Sequence, residues 1–329
     1  MNQLDFNAFV VSEKNDKFIS EIKSVKQPKL EEGKVLISVK YSSLNYKDAL
    51  SASGNRGVTR EYPHTPGIDA VGEVVESNSS EFEVGEKIVV TGYDLGMNTF
   101  GGFGQYISIP ANWAISLPND LSEAEAMSIG TAGLTAGLCV RKLLMNDLSP
   151  DSGDILVTGA SGGVGSVAVM ILSKLGFRVI ALTGKTDQID YLKSLGASSV
   201  IMRSEMEELG KPLQKGIYQG GVDTVGGSIL SNFISQTSQR GVITCCGNVA
   251  SDKLQTSVFP FILRGVALIG IDSAESLLEV KKEIWNNFSS DWQLDLAKIT
   301  KEVHLESLSD EIGKILQGNQ IGRVRVNLG

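Results

Sequence analysis

Two hydrophobic rhythms follow one another along this chain. Up to about residue 120, apolar residues fall in short runs rich in Val and Ile, separated by Gly, Pro, Asn and Ser. That pattern predicts strands at Asn7–Ser12, Lys34–Tyr41, Gly67–Glu76, Glu86–Thr91 and Gly104–Ile109. A small β-barrel is the natural packing for such strands. Two stretches interrupt them: Ser42–Ala49 (SSLNYKDA), read as a loop following a strand, and Ser51–Pro66 (SASGNRGVTREYPHTP). Loops on a rigid scaffold are where functional residues concentrate.

The period changes at Ser122, which with Glu125 makes a capping box. Helical spacing then runs to about Leu144, broken near Gly130–Gly133. From Asp154 onward strands alternate with helices. Strands are predicted at Asp154–Thr158, Arg178–Leu182, Ser199–Met202, Gly221–Val225, Gly241–Cys245 and Val266–Ile271. Helices lie between them, for example Asp187–Leu195 with Gly196 as its C-cap. The order implies an α/β fold with a doubly wound parallel sheet. Leu277–Phe288 and His304–Leu316 read as helical and Arg323–Leu328 as a strand that returns to the first domain. The domains expected are 1–125 completed by 290–329, and 126–289 between them.

Within the second rhythm, DILVTGASGGVGSVAVMILSKL (Asp154–Leu175) reads as a buried strand, a glycine-rich turn and an amphipathic helix. Gly159, Gly162 and Gly165 form a relative of the dinucleotide fingerprint. Gly159 permits a tight exit from the strand. Gly162 lets backbone approach a pyrophosphate, and Gly165 lets the helix lie against the sheet. The helix N-terminus offers N–H groups and a positive dipole end to phosphates.

Composition narrows the class. The chain has 329 residues, 42% hydrophobic and 21% charged, with net charge −8 and no long basic run. That is the profile of a globular enzyme, and it argues against nucleic acid or an anionic membrane as main partner. No apolar run approaches the roughly 18 residues of a membrane span. The start, MNQLDFNAFV, lacks a basic segment followed by an apolar core, so no secretory leader is expected. Cys139, Cys245 and Cys246 make no disulfide framework and fit a reducing cytoplasm. No C-x-x-C occurs, and His64 and His304 are isolated, so no metal site is expected.

Seven segments carry a family resemblance: LNYKDAL (Leu44–Leu50), PGIDAVGEV (Pro66–Val74), GTAGLTA (Gly130–Ala136), VTGASGGVGSVA (Val157–Ala168), YLKSLGA (Tyr191–Ala197), PFILRGVALIGIDS (Pro260–Ser273) and GRVRV (Gly322–Val326). Together they resemble the medium-chain dehydrogenase/reductase superfamily and, within it, the zinc-free quinone oxidoreductases of the YhdH/YhfP-type branch, which includes acryloyl-CoA reductase. The resemblance runs nearly end to end. It implies a GroES-like β-barrel catalytic domain joined to a Rossmann domain. Zinc-dependent relatives place Cys near Asn45 and His-Glu near Ile68-Asp69, and this chain has neither. The resemblance also implies that Tyr46 packs near the nicotinamide, that Thr131 and Ser161, Gly162, Gly163 and Val164 meet the cofactor, and that Asn248, Ile262, Ser273 and Asn319 line its remaining path. Read without the family, Asn248 and Asn319 are turn residues, and Ile262 is a core residue.

An NAD site wants an acid at the end of the second strand, to accept from the ribose 2′-OH. Thr183-Gly184-Lys185 occupy that place, and Arg203 ends the third strand. Lys185 and Arg203 could bracket a 2′-phosphate, which selects NADPH; two solvated surface cations are the plainer reading. Hydride transfer to an activated alkene leaves charge on a carbonyl oxygen, which needs a donor and then a proton. Asn45, Tyr46, Asp48 and Arg56 are the candidates. Tyr46 comes first, and a shelf for the nicotinamide is its alternative role. Asp48 is expected to order its loop by pairing with Lys47 or Arg56. Arg56, Arg60, Arg264 and Arg323 could meet acyl-CoA phosphates or could be scattered surface charges. Cys245-Cys246 is expected to pack rather than react. The function expected is reduction of an α,β-unsaturated acyl-CoA, with a quinone or enone as alternative acceptor and a non-catalytic NADPH-binding protein as a third reading. A homodimer is expected through Val266–Ile271 as a paired edge strand.

Overall fold

The computed structural model, which describes residues 4–329, divides into two units: one running up to Thr131 and again from Ala274 to Gly329, the other Ala132–Ser273. The first unit opens with β1 (Asp5–Lys14) and β2 (Lys17–Lys26), paired antiparallel along their whole length. Asn15 and Asp16 join them with φ of 51° and 59°, the geometry of the tight turns that match strand twist. Sequence reading missed β2 because KFISEIKSVK carries charges throughout and buries no residue fully. There follow β3 (Lys34–Leu44), helix α1 (Tyr46–Ala52), β4 (Asp69–Ser77), β5 (Lys87–Thr91), β6 (Tyr106–Pro110) and β7 (Ala114–Ser116). The stretch expected as a loop, Ser42–Ala49, is therefore the end of a strand and the first turns of a helix.

Alternation builds the core of this unit. Val35, Ile37 and Val39 of β3 meet Ala70 and Val74 of β4, Ile88 and Val90 of β5, and Ile107 and Ile109 of β6. Each fully buried aliphatic side chain of this size contributes about 1.5–3 kcal/mol. The capping box forms as read: the Ser122 N–H donates to Glu125 Oε2 at 2.9 Å, and the Glu125 N–H donates to Ser122 Oγ at 3.2 Å. Helix α2 (Glu123–Met145) is broken at Gly130, whose φ of 51° and ψ of −159° leave the helical range.

The second unit holds a parallel sheet. Its strands are β8 (Ile155–Thr158), β9 (Val179–Thr183), β10 (Ser199–Met202), β11 (Tyr218–Asp223), β12 (Thr237–Cys245) and β13 (Ala267–Gly270), in the spatial order β10-β9-β8-β11-β12-β13. That is the doubly wound dinucleotide-binding order. Helices α3 (Gly163–Lys174), α4 (Ile189–Ser194), α5 (Gly227–Ser235) and α6 (Phe259–Arg264) supply the crossovers.

The chain rejoins the first unit at Ala274, earlier than the expected 290. Helix α7 (Leu278–Ser289) buries Lys281, Ile284, Trp285 and Phe288, and Lys281 is tied to that unit. Its buried ammonium donates to the carbonyls of Thr91 and Ala274, each at 2.8 Å, and lies over the Tyr93 ring at 3.4 Å. An exposed-looking lysine in sequence is thus the anchor that binds α7 to the barrel strands. Then come β14 (Thr300–His304), α8 (Leu308–Leu316) and β15 (Arg323–Asn327). The helix expected from His304 starts four residues later, because Thr300–His304 pairs in parallel with β15. The larger sheet reads β14-β15-β3-β4-β5-β7, with β6 on β3.

His64 pairs its backbone with Val11 at 2.8 and 2.9 Å and stacks on Phe100. It is 3% exposed, and among the described residues Nε2 has no hydrogen-bond partner. Burial holds its imidazole below the usual 6.5. The unfolded chain therefore takes up a proton that the folded one refuses, and stability falls as pH drops below about 6.5. A His64→Leu variant removes this penalty. Urea unfolding from pH 8 to pH 5 should show the free energy of the variant rising relative to that of the unaltered chain.

Candidate active site

Residues of the first unit converge on Asp69, at the start of β4 and wholly buried. Its Oδ2 accepts from Ser43 Oγ at 2.5 Å, Asn45 Nδ2 at 2.7 Å and the Thr131 N–H at 2.8 Å; its Oδ1 accepts from Thr131 Oγ1 at 2.5 Å. Arg323, 2% exposed on β15, brings its guanidinium to 4.0 Å from Asp69. It donates to Ser43 Oγ at 2.8 Å, Asn45 Oδ1 at 3.2 Å and the Ser128 carbonyl at 3.1 Å. Burial lowers the Arg323 pKa and the two aspartates counter it. Gly130 is required at the centre. A Cβ there would come within 2.4 Å of Ser43 Oγ, 2.6 Å of Asp69 Oδ2 and 2.7 Å of the Arg323 guanidinium.

Asp48 lies beside this cluster, fully buried on α1. One carboxylate oxygen accepts from the Asn45 N–H at 2.8 Å, the other from the N–H groups of Ile68 at 2.8 Å and Gly67 at 3.1 Å. Burial, then the charge of Asp69, pushes its pKa up to about 7, against the backbone donors that favour the anion. Asp48 does order its segment, but through these amides rather than through Lys47 or Arg56. Asn45 caps α1, and its side chain is spent on Asp69, Ser43 and Arg323. Of the four catalytic candidates, Tyr46 alone combines a place on this scaffold with exposure, at 42%.

The arginines fall into distinct settings. Arg56 pairs with Glu13 at 2.6 Å, donates to the Arg60 carbonyl and packs over the rings of Phe18 and Tyr62. Arg264 donates to the carbonyls of Ser235, Thr237 and Gln214. With Arg323 buried, Arg60 is the one member of that quartet with an exposed side chain outside an ion pair or internal network. The expectation of an arginine-rimmed phosphate channel loses Arg264 and Arg323 on these grounds.

In the second unit, Gly159 has φ of 60°, and a Cβ there would meet Thr224 Oγ1 at 2.3 Å. At Gly165 a Cβ would meet the Gly159 carbonyl at 2.3 Å, so this glycine lets α3 lie on the turn. At Gly162, the N-cap of α3, only the Gly159 carbonyl lies near, at 3.3 Å, and the outward side is open. Buried Ser161 bonds Thr183 Oγ1 at 3.1 Å, which also accepts from the Lys185 N–H at 3.1 Å. Gly163 and Val164 open the helix, half-buried. A Cβ on Gly184 would lie 3.0 Å from the Arg203 guanidinium carbon, so Gly184, Lys185 and Arg203 share one corner. Arg203 is paired with Glu207 at 2.8 Å, both about half exposed. Such a pair contributes little and separates readily.

The other cofactor candidates are placed separately. Asn248 lines an open groove of about 520 Å³ at the ends of β12 and β13. Ser273 Oγ accepts from the Thr135 hydroxyl at 2.8 Å. Ile262 is 69% exposed on α6, which corrects its reading as core. Asn319 is exposed in the turn after α8, bonding Lys314 and Gln317.

This combination of barrel and doubly wound sheet defines a class, and comparison with known proteins agrees. The profile of the alcohol dehydrogenase GroES-like domain matches residues 31–119, and that of zinc-binding dehydrogenases matches 163–290. The chain belongs to the medium-chain dehydrogenase/reductase family, in the group of YhfP, YhdH and AcuI. It is 42% identical to the putative quinone oxidoreductase YhfP of Bacillus subtilis, over 98% of this chain and 99% of that protein. It is 40% identical to the acrylyl-CoA reductase AcuI of Ruegeria pomeroyi, with the same coverage. Crystal structures of Escherichia coli YhdH with NADPH and of B. subtilis YhfP with NAD each match with a TM-score of 0.95, at 37% and 42% identity, covering 98% and 99% of this chain and all of theirs.

The second profile carries zinc in its name, and the residues here do not fit that ion. Asn45 and Asp69 do come together, but Asp69 is saturated by hydrogen-bond donors and a guanidinium faces it. Among the described residues no three His, Cys, Asp or Glu side chains gather as a metal-ligand set. Arg323→Met should therefore leave two buried carboxylates uncompensated, at a cost of about 3–5 kcal/mol. Arg56→Met, at an exposed ion pair, should cost under about 1 kcal/mol. Chemical denaturation of both variants measures the contrast.

Proposed function

We propose that this protein is an NADPH-dependent oxidoreductase that reduces an electrophilic alkene, an α,β-unsaturated acyl-CoA of the acryloyl-CoA kind. The similarity to AcuI along nearly the whole chain supports the substrate class. The observation that carries the cofactor choice is the corner at the end of β9. There Gly184 lies against Arg203, and the strand end Thr183-Gly184-Lys185 carries no acid to take a ribose hydroxyl. Quinone reduction is the second reading, favoured by the similarity to YhfP.

Bound NADPH would supply the hydride that the β-carbon of the acceptor receives. Negative charge then develops on the acceptor's carbonyl oxygen and must be met by a donor. We assign that role to the Tyr46 hydroxyl. Asn45 and Asp48 hold the helix that carries it and take no proton from substrate, and Arg56 has no catalytic role. Ser161, Gly162, Gly163 and Val164 would receive the pyrophosphate at the N-terminus of α3. Lys185 and Arg203, aided by Thr183, would hold the 2′-phosphate once Arg203 leaves Glu207. Thr131, Asn248, Ile262, Ser273 and Asn319 complete the proposed cofactor contacts. Zinc takes no part in this scheme.

The protein so proposed works in the cytoplasm, where its three cysteines stay reduced. Among the described residues no helix is long and apolar enough to cross a membrane. It is a homodimer in this reading, with β13, the terminal strand of its sheet, pairing with its twin. Sedimentation at micromolar concentration should show a dimer; a monomer contradicts it.

Following NADPH oxidation by absorbance, with acryloyl-CoA and a simple quinone in parallel, tests the reaction. Faster turnover with acryloyl-CoA is expected; turnover with quinone alone makes the second reading primary, and none with either leaves a cofactor-binding protein. Lys185→Ala and Arg203→Ala should each raise KM for NADPH about 10–100-fold, the loss of a charge-assisted hydrogen bond, and leave NADH kinetics unchanged. Tyr46→Phe should lower kcat about 100-fold or more with little change in KM. A variant with full kcat would assign the ring, not the hydroxyl, as the working part.

A further inference from the structure

Asp223 and the cysteines have no part in the scheme above. Asp223 ends β11, and its register partner on β12 is Cys245. The carboxylate is wholly buried. One oxygen accepts from Thr158 Oγ1 at 2.7 Å, the other from the Gly226 N–H at 2.8 Å. Cys245 Sγ lies 3.9 Å from that second oxygen, and Cys246 Sγ lies 3.4 Å from the Asp223 carbonyl. Burial raises the Asp223 pKa, and these donors oppose that by favouring the anion. The thiol facing it is pushed up as well: burial first, then the charge of Asp223, raises Cys245 to about 11. Cys139 is buried, whereas Cys245 and Cys246 are half-buried. Both line the open groove of about 520 Å³, together with Asn248, Ile271 and Asp272. In a parallel sheet, ligands enter at this edge.

We propose that Cys245 is a covalent modification site for electrophilic alkenes and quinones, and that the Asp223 carboxylate facing it restrains the reaction. The proposal rests on the reading of the previous subsection only for the source of the electrophile. The step is a conjugate addition. The Cys245 thiol loses its proton, and the sulfur electron pair forms a C–S bond to the β-carbon. The C=C π pair moves to the α-carbon, which takes one proton from water. No oxidant or reductant is consumed. A protein that handles alkenes of this kind would alkylate itself with each encounter if the thiol were an anion. Asp223 is the group that opposes that.

The test uses the full chain and acrylamide, a small uncharged conjugate acceptor, with adducts located by peptide mass spectrometry. The first adduct should fall on Cys245. It should form more than about tenfold slower than on free cysteine near pH 8, with a rate still climbing at about pH 10, where a free thiol has levelled off. Asp223→Asn, if it folds, should speed the addition about tenfold. A first adduct at another residue overturns the site. A rate equal to that of free cysteine, or one that levels near pH 9 in the unaltered protein, overturns the restraint, as does a folded Asp223→Asn chain that reacts no faster. The probe needs no turnover, so a chain that adds acrylamide at Cys245 yet oxidises no NADPH fails the proposed function and leaves this inference standing.

Discussion

A guanidinium buried against a carboxylate organises the first unit. Arg323 comes from the last strand and Asp69 from the start of β4. Between them Ser43 accepts from one and donates to the other. Asn45 does the same with its amide, donating a hydrogen bond through Nδ2 to Asp69 and accepting one at Oδ1 from Arg323. In a low-dielectric interior neither ion is tolerable alone, and the pair is acceptable only because the remaining donors and acceptors are met. The network thereby ties β15, β3, β4 and both ends of the α2 break into one arrangement. Gly130 is the only kind of residue that can stand at its middle, since any side chain would displace a partner.

The consequence for the site is indirect but strong. Asn45 caps α1 while its side chain is locked into the ionic network, and Asp48 binds the same helix to the backbone at Gly67 and Ile68. The first residue of that helix is Tyr46, the exposed phenol to which we assign proton donation. Hydrogen bonds to Asp69, Arg323 and Asp48 thus make Leu44–Asp48 a fixed support for that side chain. The second unit follows a different logic. There the backbone sets the geometry: a strand, a turn whose glycines face Thr224 and Ala160, and a helix whose N-cap Gly162 makes no side-chain cap.

Much of this was legible in the sequence, for identifiable reasons. The parallel sheet announced itself through apolar runs separated by helical spacing, and Ser199–Met202 appears with the bounds its pattern predicts. The Ser122–Glu125 cap and the break near Gly130 were visible because each is a local signal. What was hidden depends on long-range partners. Lys281 looks like any surface lysine until Thr91, Tyr93 and Ala274 surround it. Arg323 is separated from Asp69 by most of the chain, so its burial could be read only from an arginine standing on the inward side of GRVRV. Asp48 was expected to seek a cation, but three backbone amides reached it first. β2 was missed because its partner strand, not its own composition, holds it in place.

In the proposed reaction, hydride reaches the β-carbon of an α,β-unsaturated acyl-CoA. Deuterium at the transferable position of the nicotinamide reads this directly. With labelled NADPH and acryloyl-CoA in ordinary water, the saturated product should carry one deuterium, on its β-carbon, while the α-carbon gains only a solvent proton. Deuterium at the α-carbon, or a product with none, would contradict the account.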